Sequence, residues 1–171
     1  MALIQSVEGI APIFGENCWI ADNATLLGRL TTGNECTFWF NCVVRADVNT
    51  ISLGNKVNVQ DGACIHCTYL KHPTIIGNNV SIGHHAIVHG CTLEDNVLVG
   101  MGAIIMDGVY VEKNAIIAAG AVVLENTRVP SGTIFAGIPA KKVKDLSQAQ
   151  TEQIINRIAD NYVMYADWYK D

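Results

Sequence analysis

The stretch NVLVGMGAIIMDGVYVEKNAIIAAGAVVLENTRV, from Asn96 to Val129, repeats one pattern every six residues. An aliphatic residue opens each unit, and Asn or Gly stands three places later. The aliphatic positions are Val99, Ile105, Val111, Ile117, Val123 and Val129. An amphipathic helix would show an apolar period near 3.6 and would be weakened by Gly or Asn in every unit, so that interpretation is excluded.

The repeat extends towards the N terminus. Its aliphatic positions continue at Ile76, Ile82, Val88 and Leu93, at Leu53, Val59 and Ile65, and less clearly from Ile20 through Phe38 and Val44. The Asn or Gly positions are Asn79, Asn96, Gly102, Gly108, Asn114, Gly120, Asn126 and Gly132. A small or β-branched residue follows four places after most aliphatic positions, at Val80, Ala86, Thr92, Val97, Ala103, Val109, Ala115 and Ala121.

Each of the three positions has a physical cause in a parallel β-helix. The aliphatic side chain points inwards from a short strand, the small residue fits a tight corner, and Asn or Gly tolerates the left-handed backbone of that corner. Each coil of such a solenoid stacks only on its neighbours. We therefore predict an all-β solenoid over residues 1–145, a triangular prism with three hexapeptides in each of roughly seven coils.

Two insertions interrupt the repeat. The spacing is nine residues from Val44 to Leu53 and eleven from Ile65 to Ile76. The second insertion leaves CTYLKHPT, residues 67–74, as a protruding loop. Loops on a rigid scaffold are where functional sites are commonly built, so we expect the site beside these insertions.

The C-terminal segment, residues 146–171, has a helical pattern instead. Ser147 and Gln150 form a capping-box pair, which marks the start of a helix. Apolar residues then recur on one face, at Ile154, Ile155, Ile158, Tyr162, Val163, Ala166 and Tyr169. A single helix of about 23 residues would be roughly 35 Å long and would pack along the prism.

Composition limits the classes of function. The net charge of −5 argues against a nucleic-acid partner, and the longest apolar runs, of about ten residues, are too short to cross a bilayer. The sequence shows no signal-peptide pattern, so we expect a cytoplasmic protein whose six cysteines are reduced and mostly buried. Cys64 and Cys67 form a C-x-x-C pair without a second pair at zinc-finger spacing.

The repeat predicts where three of the histidines lie relative to one another. His66 and His89 each follow an inward aliphatic residue by one place and are one coil apart, so we predict that they stack and share a metal ion. His84 lies on an earlier face and would reach such a metal only from a neighbouring subunit of a trimer. Three imidazoles and a water make the open coordination of a catalytic zinc site. His85 takes the Asn or Gly position and is interpreted as structural, and His72 as solvated. The alternative is that outward histidines are plain interface residues.

The chain resembles the γ-class carbonic anhydrase family from about Gly9 to the final helix. The resemblance rests on RAD at Arg45–Asp47, NVQDG at 58–62, IH at 65–66, GHHAIVHG at 83–90 and GIPAK at 137–141. It implies a homotrimer of left-handed parallel β-helices, each with a C-terminal helix. It also implies the reversible hydration of carbon dioxide to bicarbonate by hydroxide formed on a metal at the subunit interface.

The same resemblance assigns roles to individual residues. His66 and His89 of one subunit and His84 of its neighbour would hold Zn²⁺, with Fe²⁺ or Co²⁺ also accepted. Arg45 and Asp47 would form an intersubunit ion pair bordering the pocket. The remaining pocket residues would be Gln60, which hydrogen-bonds the water, Asn58, which orients carbon dioxide or bicarbonate, and Tyr162 on the helix.

This sequence lacks the acidic residues that, in the family pattern, would carry the released proton away from the metal. Val48 stands where a glutamate follows the Arg-x-Asp motif, and CTYLKHPT lacks the second glutamate, which implies slow turnover unless buffer or His72 carries the proton. A coenzyme A-dependent hexapeptide acyltransferase, with phosphates near Lys141, Lys142 and Lys144, is a second interpretation. A non-catalytic family member is a third.

Overall fold

The structure is a computed structural model that describes residues 1–170; Asp171, the last residue of the predicted helical segment 146–171, lies outside them. Within residues 1–170, short strands follow one another along almost the whole chain. They are β1 Leu3–Gln5, β2 Trp19–Ile20, β3 Thr25–Thr32, β4 Thr37–Phe38, β5 Val43–Leu53, β6 Asn58–Val59, β7 Cys64–His66, β8 Thr74–Ile76, β9 Ser81–Ile82, β10 Ile87–His89, β11 Thr92–Leu93, β12 Leu98–Val99, β13 Ile104–Ile105, β14 Tyr110–Val111, β15 Ile116–Ile117, β16 Val122–Val123, β17 Arg128–Val129, β18 Thr133–Ala136 and β19 Lys141–Asp145.

The strands pair in parallel with the strand one coil away and form three faces. The histidine face has the order β16-β13-β10-β7-β5, and a second face has the order β5-β8-β11-β14-β17. The long strand β5 turns the corner between these two faces, because its start pairs with β7 and its end with β8. The helix face has the order β18-β15-β12-β9-β6-β4-β2. The predicted parallel β-solenoid is therefore confirmed, and the seven strands of the helix face give it seven coils.

The repeat positions do what the sequence predicts. Every aliphatic position from Ile76 to Val129 is buried inside the prism. The eight Asn or Gly positions all have positive φ, and His85 does too, at 57°. One position differs: Cys91, not Thr92, fills the buried corner before Leu93, because the step from Val88 to Leu93 is five residues.

The prediction of a loop between Val44 and Leu53 is wrong. These residues belong to the continuous strand β5. Its partner β3 is also long and pairs with it as far as Thr32 and Leu53, with a register shift near Gly28. The extra residues, 47–50, fall within this register shift as a bulge, and the pairing with β3 resumes at Ile51. By contrast, the predicted loop 67–74 does protrude at its centre, where Tyr69 and Leu70 are exposed, while its end residues Cys67 and Thr74 are buried.

The C-terminal segment departs from the prism. Strand β19 turns back and pairs antiparallel with β18, a change of direction that the repeat does not predict. Helix α1, Gln148–Gln150, begins with the predicted capping box of Ser147 and Gln150. The chain then widens into a π-helical turn, Thr151–Asn156, before α2, Arg157–Asp167.

The wide turn explains why one uniform α-helix was an incomplete prediction. It lets Ile155 bury completely while the neighbouring Asn156 accepts a hydrogen bond of 2.8 Å from Asn79 at a corner of the prism. Further along, α2 lies over the helix face, where Tyr162 packs edge-on against Trp39. In residues 1–170 no helix combines the length and apolar character needed to cross a membrane.

The cysteines mostly behave as small apolar side chains. All six are free thiols, and Cys36, Cys42, Cys67 and Cys91 are buried. Cys18 and Cys64 are half-buried.

Candidate metal centre

His66 and His89 face each other on neighbouring strands of the histidine face. Their Cα atoms are register partners in the pairing of β7 with β10. The Nδ1 of His66 lies 3.0 Å from the Nε2 of His89. Two nitrogens bound to one tetrahedral zinc ion would be about 3.3 Å apart, so this separation suits a shared metal ion.

A carboxylate holds the other nitrogen of each ring. Nε2 of His66 lies 3.1 Å from Asp47, and Nδ1 of His89 lies 2.6 Å from Asp107. A carboxylate accepts hydrogen bonds, so each neutral ring donates its single N–H to its aspartate. The two facing nitrogens then both carry lone pairs, which repel each other unless a cation lies between them. The donor set therefore fits a metal ion.

The two aspartates are themselves anchored. Burial alone would raise the pKa of Asp47, but hydrogen bonds from Arg45, at 2.6 Å, and His66 hold its pKa below the ordinary value. Burial likewise opposes ionisation of Asp107, and hydrogen bonds from Thr68 and His89 lower its pKa overall. Both carboxylates are consequently ionised at neutral pH and suited to orient an imidazole.

His84 lies around the corner, between the helix face and the histidine face. Its Nδ1 is 2.8 Å from Oδ2 of Asp61, and its Nε2 is 3.4 Å from the hydroxyl of Tyr162. Among residues 1–170, no three His, Cys, Asp or Glu side chains converge closely enough to hold a metal ion. One chain alone thus offers a pair of imidazoles at one place and a single imidazole at another.

The corner beside His84 is tightly built. His85 adopts φ of 57°, and its ring stacks over Gly62 of the preceding coil. A Cβ atom at residue 62 would lie 2.4 Å from Nδ1 of His85, so only glycine allows this approach. The contact between His85 and Gly62 supports a structural role for His85. It also holds the backbone of the corner that carries His84.

Asn58 and Gln60 form a buried chain of hydrogen bonds on the helix face. Nε2 of Gln60 donates to Oδ1 of Asn58 at 2.9 Å, and Nδ2 of Asn58 donates to Oγ of Ser81 at 2.7 Å. Asn58 is 1% exposed and Gln60 5% exposed. This arrangement leaves the Oε1 of Gln60 as an acceptor at the edge of the adjoining cavity.

A cavity of about 470 Å³ separates the helix face from α2 beside this chain. Most of its wall is apolar, and its polar side chains include Gln60 and His84 from the prism and Arg157 and Asn161 from α2. Burial raises the pKa of Tyr162, which borders the cavity, to about 12, with the Asp61 carboxylate adding to the rise. Tyr162 is therefore a neutral hydrogen-bond donor at physiological pH.

The sequence-predicted site residues consequently lie in two clusters within one chain. Arg45 and Asp47 join His66 and His89 on the histidine face. The second cluster, on the helix face and its corner, contains Asn58, Gln60, His84 and Tyr162. The single chain does not bring the two clusters together.

Comparisons with known proteins bear on what these clusters do. The family described as "Bacterial transferase hexapeptide (six repeats)" matches residues 90–125. "Carbonic anhydrase" of Geobacillus kaustophilus is 40% identical over 98% of this chain and 91% of its own length. The chain belongs to the γ-class carbonic anhydrase family.

Some members of the γ-class carbonic anhydrase family are longer. "Gamma carbonic anhydrase 1, mitochondrial" of Arabidopsis thaliana is 43% identical over 93% of this chain, which spans only 59% of that relative's length. The solved structure of a hexapeptide transferase family protein from Anaplasma phagocytophilum has a TM-score of 0.92 and 33% identity, and 98% of each chain is covered.

Sequence reasoning missed some of the residues that contact the candidate site residues. Asp61 and Asp107 each lie close to a ring nitrogen of a predicted ligand, and Ser81 ends the hydrogen-bond chain from Gln60. Asp107 precedes a corner glycine one coil beyond His89, so counting 18 residues forward along the repeat would have found it. Ser81 occupies an ordinary strand position and carried no distinguishing signal.

Proposed function

We propose that this chain catalyses the reversible hydration of carbon dioxide at a divalent metal ion, with zinc as the first candidate and iron or cobalt as alternatives. His66 and His89 of one subunit and His84 of a neighbouring subunit would hold the metal in a homotrimer. The proposal rests on the family membership and on one observation. Each of the three histidines has an aspartate within 3.1 Å of a ring nitrogen, which is how metal-binding imidazoles are usually oriented.

The two clusters complement each other across a subunit boundary. The histidine face supplies two imidazole lone pairs that face each other, and the corner of another copy would supply the third through Nε2 of His84. A threefold arrangement repeats the same contact three times and closes on itself. In such a trimer the Arg45–Asp47 pair, which forms within one chain here, would border the shared pocket.

The chain's residues have separable roles in the proposed reaction. A bound divalent metal ion supplies hydroxide near neutral pH by lowering the pKa of water to about 7, as is already known for carbonic anhydrases. Gln60 accepts a hydrogen bond from the attacking water or hydroxide through Oε1 and so fixes its direction. Asn58 was expected to orient the substrate, but it is 1% exposed and hydrogen-bonds both Gln60 and Ser81, so we assign it to holding Gln60 in place. The apolar wall of the cavity accommodates carbon dioxide.

We expect the proposed hydration reaction to turn over slowly, because no carboxylate is placed to carry the proton out of the pocket. Val48 packs its side chain against the core, so no carboxylate stands at that place. The loop 67–74 carries no Asp or Glu either. His72 differs from the solvated side chain expected from the sequence, because it is half-buried and its Cβ lies beside Gly90. Buffer or His72 would therefore accept the proton.

Acyl transfer is the competing function, favoured by the transferase family that matches residues 90–125. A single histidine base would suffice for that reaction, which gives no reason for three histidines with aspartate partners. All three lysines considered for phosphate binding, Lys141, Lys142 and Lys144, lie on the exposed strand β19, and Lys142 already pairs with Asp145 at 2.6 Å. A non-catalytic family member would bind the metal without turnover.

Metal content and carbon dioxide hydration, measured on the same preparation, test the proposal. We expect close to one metal ion per chain and hydration activity, both lost in His66→Ala while the circular dichroism spectrum is preserved. His72→Ala is the matched control for metal content and should remain loaded. Full metal occupancy in His66→Ala would contradict the ligand set. Metal without hydration would favour a non-catalytic member.

A mixing experiment tests the intersubunit part. His66→Ala and His84→Ala chains, unfolded together at equal concentration and refolded, would give trimers in which a site is complete only where an intact His66 meets a neighbour's intact His84. In random cyclic trimers this restores about a quarter of the sites. No recovery of metal, with both variants folded and trimeric by native mass spectrometry, would contradict sharing between subunits.

A further inference from the structure

A second cavity, of about 330 Å³, opens where the end of α2 meets the helix face. Its wall is almost wholly aromatic, with Trp39 and Phe40 from the prism and Tyr165, Trp168 and Tyr169 from the C-terminal segment. Tyr162 and one carboxylate, that of Asp61, complete the lining. We call these side chains the aromatic cage. The cage shares Tyr162 and Tyr165 with the cavity described above, but Gln60 and His84 line only that other cavity.

The rings of the cage are inclined to one another. The ring centroid of Tyr169 lies 5.8 Å from those of Trp39 and Phe40, at interplanar angles of 84° and 64° respectively. The ring centroids of Tyr165 and Trp168 are 5.0 Å apart, at an interplanar angle of 47°. Inclined rings surround a cavity with faces and edges from several directions. Ring faces carry partial negative charge and attract cations.

Packing of the helix alone does not account for the cage. Trp168 is 69% exposed and Tyr169 is 53% exposed, so neither side chain fills the core. Their neighbour Ala166 is the residue that buries against the prism. Large aromatic surfaces left in water beside a cavity mark a place where something else binds.

The charge around the cage selects the kind of ligand. Its lining contains a carboxylate and no Lys, Arg or His side chain. Within residues 1–170 the cation–π contact that does occur is remote from it, between Arg128 and Tyr110. Asp61 contacts His84 through Oδ2 and has no hydrogen-bond partner at Oδ1 among the described residues. The chain itself therefore provides no cation for these rings.

We propose that the aromatic cage binds a small quaternary or methylated ammonium compound. Trimethylammonium groups are weakly hydrated cations that bind to ring faces, and Asp61 adds an opposite charge. The cavity is at the lower end of the size range of small-molecule sites, which suits a choline-sized ligand. Binding at the cage requires neither the metal nor the proposed hydration reaction.

Calorimetric titration of the folded protein with choline tests the proposal, with intrinsic tryptophan fluorescence as a second readout. The comparison ligand is 3,3-dimethylbutan-1-ol, which has the shape of choline without its charge. We expect saturable choline binding that is at least about tenfold tighter than binding of the neutral alcohol. Equal binding of the two ligands would make the cage a plain apolar pocket and overturn the proposal.

Two variants test which side chains are responsible. Trp168→Leu and Asp61→Asn should each weaken choline binding by about 3- to 30-fold. Tyr69→Leu, which removes an exposed aromatic side chain from the loop 67–74, should leave binding unchanged. Absence of saturable binding up to about 50 mM choline overturns the proposal. If Trp168→Leu instead lowers the oligomeric mass while choline does not bind, the patch is a subunit interface, which equally overturns it.

Discussion

His89 and Asp107 are joined across one coil of the solenoid by a hydrogen bond of 2.6 Å between Nδ1 and Oδ1. The bond places the imidazole proton on the side away from His66 and leaves Nε2 of His89 directed at its stacked partner. Thr68, from the protruding loop, donates a hydrogen bond to the other oxygen of the same carboxylate at 2.5 Å. The loop thus acts on the histidine pair through Asp107.

Asp107→Asn tests this relationship. The amide is a poorer acceptor and lets the His89 ring turn, so we expect metal affinity to fall about 10- to 100-fold while the fold remains intact. Competition with a chromogenic chelator measures the affinity. Asp22→Asn, which changes an exposed carboxylate elsewhere, is the control. Unchanged affinity in Asp107→Asn would show that Asp107 does not orient the ligand.

Gly90→Ala tests the same carboxylate from the backbone side. A Cβ at residue 90 would meet Oδ1 of Asp107 at 2.3 Å, in addition to the strain of a φ of 52°. Gly102→Ala is a matched control, because its φ is 66° and its Cβ would meet nothing within 4 Å. We expect Gly102→Ala to cost about 1 to 2 kcal/mol of unfolding free energy and to keep its metal. Gly90→Ala should cost more and lose metal affinity, and equal effects of the two variants would refute the contact.

Ser81→Ala removes the end of the hydrogen-bond chain that holds Gln60. The buried amide of Asn58 loses an acceptor, which costs about 1 to 3 kcal/mol of unfolding free energy. If Gln60 directs the nucleophile, kcat for hydration should fall more than KM rises. The control Thr37→Val also breaks a buried hydrogen bond, with Trp39, at the position that pairs with Asn58 on the side opposite Ser81. It should lose comparable stability and keep kcat.

Glu94→Gln tests the electrostatics of the prism away from the site. The hydrogen bond from Tyr110, and then that from the backbone N–H of Lys113, hold the pKa of Glu94 below its ordinary value of 4.5. A depressed folded pKa contributes stability that is present above the unfolded pKa and lost as the pH falls through the folded one.

The melting temperature of Glu94→Gln should therefore lie below that of the wild type at pH 7, and the gap should narrow below about pH 4.5. Glu125→Gln, at an exposed position, should show no such gap. A gap of constant size from pH 7 to pH 3 would rule out the contribution from this carboxylate.

Val48→Glu tests the missing proton acceptor. The new carboxylate would stand one residue from Asp47 and could carry the proton away from the pocket. We expect faster exchange of ¹⁸O between carbon dioxide and water at low buffer concentration, with some loss of stability because Val48 packs on the core. Val48→Gln is the control without an acid. Equal exchange rates in the two variants would count against the shuttle.

The repeat predicted the fold because one geometric rule acts at every unit. The register of His66 with His89 followed from counting along that rule, and the structure pairs these two residues as predicted. Contacts between side chains at different corners have no such rule. Asp107, Asp61 and the stacking of His85 over Gly62 depend on rotamers and on local corner geometry, which a six-residue period does not specify.

Two departures from the repeat have the same origin. Strand β5 pairs with β3 both before and after its extra residues and so continues past Val44, and the π-helical turn at Thr151–Asn156 arises where Ile155 and Asn156 meet the prism. Both are responses to a neighbouring element that lies far away in sequence. The intersubunit arrangement of His84 depends on contacts between two chains and stays a prediction.

The reversal of strand β19 sets the length of the molecule. A solenoid ends in a row of unpaired backbone groups, to which another chain could add without limit. Here the last parallel strand, β18, is occupied by an antiparallel strand whose five exposed residues include Lys141, Lys142 and Lys144. Exposed lysines on an edge strand disfavour pairing with a further strand, so this end of the solenoid is protected against the addition of another chain.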